Sequence, residues 1–84
     1  MDNNMDYDQC SGYLRDLGIM IKERAIEARK AKESDGPSSH DGFNLGRLMA
    51  FHEVVSLMQQ QASAFGVSFE EIGLGDIDPE RDLL

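Results

Sequence analysis

Eighty-four residues, 40% of them hydrophobic and 29% charged, describe one small globular domain over residues 1–84, near the size at which a single core is barely adequate and self-association often supplies the rest. Sixteen acidic against eight basic residues leave a net charge of −8, which disfavours nucleic acid and anionic membranes as direct partners, because both require clustered positive charge. Cys10 is alone, so no internal disulfide framework is possible, and neither a signal-peptide core nor an apolar run near the roughly 18 residues that span a bilayer occurs, so a cytoplasmic protein is expected.

From about residue 7 to 33 the residues Tyr7, Cys10, Leu14, Leu17, Ile21, Ala25 and Ala28 recur at intervals of three and four, with Tyr13 and Met20 widening the stripe. That spacing predicts an amphipathic helix whose stripe faces a core. Asp6 with Gln9 three residues later reads as a capping-box start, and the Ser11-Gly12 pair weakens the first turns. Arg29, Lys30 and Lys32 fall near the carboxyl end, where the helix dipole favours positive charge.

Residues 34–42, SDGPSSHDG, are dense in turn formers and predict a mobile connection. A second helix follows over about residues 43–65, with Leu48, Phe51, Val55, Met58, Ala62 and Phe65 on its stripe. Gly66 stands where a left-handed carboxyl cap belongs, and Val67 is its apolar follower. Ser68 to Glu71 is an S-x-x-E capping box, predicting a short helix over about 69–73. Asp78-Pro79 repeats the start signal for a last turn over about 79–83.

Folding the chain about residue 38 places Leu14 opposite Ala62, Leu17 opposite Met58, Ile21 opposite Val55 and Ala28 opposite Leu48, as a two-helix hairpin requires. The fold class is therefore all-α, an antiparallel hairpin with short C-terminal helical turns. The second helix is apolar over more of its circumference than one partner covers, since Ala50, Val54 and Leu57, with Phe43, extend the arc beyond Phe51 and Met58. The first helix adds Ile19 and Ile26 on the side away from its main stripe, and the C-terminal segment is expected to cover only one end. Exposure of so much apolar surface is unusual in a monomer. Ala50, Phe51, Val54, Leu57, Met58, Ile19 and Ile26 are accordingly expected at a homodimer interface that completes a four-helix bundle.

The second helix also contains HEVVS, residues 52–56, one residue short of the H-E-x-x-H zinc signature. That signature works because histidines four apart share a helical face and the glutamate between them acts as base. Ser56 occupies the second ligand position and His40 lies in the loop, so no metal, cofactor or catalytic site is expected. His52 is the one residue to which a metal could still be referred, through two copies meeting across a dimer. Its simpler reading is a boundary residue in a polar strip of His52, Ser56, Gln59 and Ser63. Glu23, Glu27, Glu33 and Glu53 read as solvated surface, Asp76, Asp78, Glu80 and Asp82 as caps and solubilising charge, and Cys10 as a small core hydrophobe. Gly18 and Gly46 are costly inside helices and suggest close approach, or for Gly46 a fraying helix start, while Arg24 and Arg47 fall beside apolar faces.

Residues 13–33 carry six basic and four acidic side chains, and residues 66–84 six acidic and one basic. The expected function is a small acidic, non-catalytic interaction module, of adaptor, inhibitor or immunity type, which dimerises and binds another protein with a basic surface. The alternative is a metal- or small-ligand-binding bundle using His52 near a dimer interface.

Overall fold

The computed structural model describes residues 3–36 and 42–84, with side chains from residue 8 onward. The packing of Tyr7, the environment of His40 and the centre of the connecting loop lie outside the described residues. Two long helices, α1 (Asn3–Glu33) and α2 (Phe43–Ala64), pack against each other as a hairpin. A single 3-10 turn (Glu70–Ile72) and the four-residue α3 (Pro79–Asp82) follow, and no strand occurs among the described residues.

α1 begins four residues before the expected start. No glycine or proline stands between Asn3 and Asp6 to break it, so Asp6 lies within the helix, and Ser11-Gly12 does not interrupt it. The other ends follow their local chemistry. Ser34 closes α1 by donating from Oγ and from its amide to the Lys30 carbonyl, at 3.0 and 3.1 Å. Gly42, at φ 64°, precedes α2. Gly66 ends α2 at φ 70°, with the Val67 amide reaching the Ala62 carbonyl at 2.8 Å and the Gly66 amide that of Ser63 at 3.1 Å, the paired bonds of a Schellman end.

The Ser68–Glu71 box forms reciprocally: the Ser68 amide donates to Glu71 Oε2 at 2.7 Å and the Glu71 amide to Ser68 Oγ at 3.2 Å. It starts only one 3-10 turn, because Gly73 at φ 75° and the Leu74 amide bonding back to Phe69 at 2.9 Å close it at once. Asp78 caps α3 by accepting from the amides of Glu80 and Arg81 at 3.0 and 3.4 Å, with Pro79 in the first helical position.

The hairpin register agrees with expectation where cross-contacts fix it. Asn44 Nδ2 donates to the Ala31 carbonyl at 3.4 Å, one residue from its predicted partner, and Leu14, Met58 and Ala62 line one cleft. The helix lengths do not match, however. At 1.5 Å per residue the 31 residues of α1 outreach the 22 of α2 by roughly 13 Å. The overhang leaves Cys10 exposed instead of in the core, and Tyr13 and Leu14, next to the end of α2, are 65% and 44% exposed.

The core joins Ala25, Leu48, Val55 and Ala62 to Ile72, Leu74, Ile77 and Leu83. Among the described residues, two of the three largest fully buried side chains, Leu74 and Leu83, come from the C-terminal segment. The segment therefore does more than cover one end. Ile72 sits at Gly18, Asp76 at Lys22 and Asp82 at Arg29, so it runs parallel to α1 as a third layer. Ten residues of partly extended chain readily span the roughly 16 Å of helix between Gly18 and Arg29. Among the described residues no helix is long and apolar enough to cross a membrane.

Candidate interaction surface

At 100° per residue, α1 meets the C-terminal segment on the side that carries Arg15, Ile19, Lys22 and Arg29, and α2 meets it on the side of His52, Gln59 and Ser63. The hairpin has two grooves, and the segment fills one. Gln59 anchors it from α2, with Nε2 donating to the carbonyls of Leu74 and Ile77 at 3.1 and 2.9 Å. His52 Nε2 lies 3.2 Å from Glu80 Oε1. From α1, Lys22 Nζ donates to both carboxylate oxygens of Asp76 at 2.9 and 3.0 Å, and Arg29 donates to the Asp82 carbonyl at 3.3 Å. Within the polar strip on α2, Gln59 thus holds the segment's backbone and His52 its Glu80 side chain.

These contacts set the local electrostatics. The Lys22 ammonium holds the Asp76 carboxyl below its usual value of 3.8. The Ser68 amide, then its hydroxyl, lowers Glu71 from 4.5. Asp82 is well below the ordinary carboxylate range, first through the Arg81 guanidinium, which binds both its oxygens, and then through the Asp78 amide. The acidic segment is thus tied to α1 by one ion pair, Asp76 with Lys22, and by the Arg29 bond to the Asp82 carbonyl.

The opposite groove is open. Along the flank of α2 that borders it, Val54 is 41% and Leu57 62% exposed, Ala50 is exposed, and Phe51 and Met58 are half-buried. Phe43 and Phe65, 69% and 75% exposed, extend this flank to both ends of the helix. Arg47 lies over the Phe51 ring at 5.8 Å, which accounts for its place beside an apolar face. On α1 the half-buried Leu17 and the exposed Met20 and Arg24 border the same groove. At its end an apolar cleft of about 330 Å³ opens between Leu14, Met58, Phe65 and Ile72.

The seven expected interface residues fall in two places. Ala50, Phe51, Val54, Leu57 and Met58 form one continuous flank. Ile19 and Ile26 lie across the hairpin, where the segment docks: Ile26 packs against the core and Ile19 beside Gly73. The two-carbonyl role of Gln59 was not expected from the sequence; its signal was a glutamine about one turn from Ser56 and Ser63 and two turns from His52 on the core edge. His52 stands about 160° around α2 from Val54, paired with Glu80. Glu53 is exposed. Among the described residues no three His, Cys, Asp or Glu side chains are grouped so as to hold a metal ion.

No protein-family model, curated protein or solved structure matches this chain.

Proposed function

We propose that this chain is a small acidic interaction module without catalytic activity, which works in the cytoplasm as a homodimer and binds another protein. The observation that carries the reading is the apolar flank of α2, open along the full helix while the opposite groove is filled by the chain's own C-terminal segment. Exposure of so continuous an apolar flank is unusual in a stable monomer. Two hairpins packed through this flank form the four-helix bundle that a chain of this size needs for an adequate core.

The net charge of −8 gives such a dimer a surface suited to a partner with a basic face, as an adaptor or an inhibitor of immunity type would use, with an affinity that falls as salt screens the charges. Light scattering at micromolar concentration tests the assembly, with twice the chain mass expected. Leu57→Lys is expected to return the mass to one chain while the helical circular dichroism persists, because Leu57 is 62% exposed in the single chain. A wild-type mass equal to one chain overturns the reading.

A further inference from the structure

We infer that the partner on the open flank is a second copy of α2 running antiparallel to the first, with the two-fold axis passing through Val54. This rests on the homodimer reading above and adds its geometry. A two-fold interface is self-complementary, so each residue must suit its symmetry mate. With the axis at Val54, near the midpoint of α2, Ala50 faces Met58 of the other copy and Phe51 faces Leu57. Phe43 faces Phe65 at the two ends, and Val54 meets itself. The flank's two polar residues, Arg47 and Gln61, face each other.

No apolar residue of the flank is set against a polar one, and its only charge opposes a neutral amide. Moving the axis by about one turn in either direction breaks this match: centred between residues 50 and 51 it places Arg47 on Val54, and centred between residues 57 and 58 it places Gln61 on Val54. Either would desolvate a polar group against an apolar one. The Val54-centred arrangement also overlaps the two helices over their whole length. Small and medium side chains at the crossing, Ala50 and Val54, permit the 8–10 Å axial separation of packed helices.

Cysteine cross-linking tests the axis. In a Cys10→Ser background, which removes the exposed native thiol, Val54→Cys places two thiols across the dyad. Mild oxidation is expected to give a disulfide-linked dimer on the order of a thousandfold faster than random collision at micromolar chain, since the thiols are at millimolar effective concentration. Leu45→Cys, about 180° around α2 from Val54 at 100° per residue and 46% exposed, is expected to stay at the collision rate. Mixing Ala50→Cys with Met58→Cys is expected to give the mixed dimer in preference to either like pair. A two-chain mass with slow Val54→Cys cross-linking overturns the axis and leaves the homodimer standing. A one-chain mass overturns both.

Discussion

Gly18 of α1 lies directly under the carbonyl of Ile72: a Cβ built on Gly18 would overlap that oxygen and come within 2.8 Å of the carbonyl carbon. Gly73 answers from the other side, since a Cβ there would meet the Arg15 carbonyl and approach the Ile19 amide to 2.8 Å. The two glycines let a helix and a turn approach backbone to backbone, and this contact starts the third layer. The clash is with backbone and falls at the upper end of the cost of overpacking, about 3 kcal/mol, so Gly18→Ala is expected to destabilise by about 2 kcal/mol after the roughly 1 kcal/mol that alanine gains in a helix. Gly46→Ala, with nothing within 4 Å of the new Cβ, is expected to stabilise by about 0.5–1 kcal/mol. Opposite shifts of the urea midpoint for the two variants check this.

Gln59 provides a second test of the same layer. Its amide nitrogen is the donor for two carbonyls, those of Leu74 and Ile77, in a part-buried setting. Gln59→Leu fills similar space but leaves both acceptors without that donor, at a cost of about 1–3 kcal/mol. Gln59→Glu is expected to be worse, because a carboxylate would face two carbonyl oxygens. Chemical denaturation ranks the three proteins, and a leucine variant as stable as the parent would show that the two bonds contribute nothing.

How far the sequence anticipated this arrangement depends on the range of the interaction. The Ser68–Glu71 box, the Asp78-Pro79 start and the Gly66 end are read within four residues, and each forms as its spacing implies. The hairpin register follows from two stripes and one turn, so it too was legible. Where the C-terminal segment lies was not, because nothing local says which groove Leu74 and Leu83 will fill. The clues were long-range and disguised: Gly18, a costly helix residue reserved for the Ile72 backbone, and Gln59, read as part of a polar strip although it is the receptor for two carbonyls. Nor did the sequence show that Ile19, expected at a dimer interface, stands beside Gly73 of that segment. The overhang of α1 that exposes Cys10 was missed because a periodic pattern does not reveal where the partner helix stops.

Acid is expected to loosen the third layer. Glu71 and Asp76 have folded pKa values below their ordinary 4.5 and 3.8, and Asp82 lies lower still. Groups depressed in the folded state contribute stability fully above their unfolded pKa and lose it as pH falls through the folded one. The contribution should thus be constant from pH 7 to about 5 and decline below about 4.5. Relief of the chain's negative self-repulsion acts the other way, so a single titration curve does not isolate the term. Asp76→Asn compared with the parent does, because it removes the Lys22 ion pair and changes the overall charge by only one unit. Its melting temperature is expected to lie below that of the parent at pH 7 and to converge with it as pH falls below 3. A gap that persists unchanged at pH 2 would assign the effect to something other than the ion pair.

The last two residues of the chain give the sharpest contrast. Leu83 is fully buried against Leu74, Ile77 and the hairpin core, whereas its neighbour Leu84 is 72% exposed. The Leu83 amide is held by the Pro79 carbonyl at 2.9 Å, so α3, capped by Asp78, exists to turn this side chain inward. Leu83→Ala is expected to cost about 2–5 kcal/mol, the range for emptying a leucine site in a core, which is a large part of the stability of a domain this small. Leu84→Ala is expected to change stability by less than about 0.5 kcal/mol, as an exposed substitution does. Thermal melts of the two variants distinguish a docked C-terminus from a loose one, because a loose end would make the two leucines equivalent.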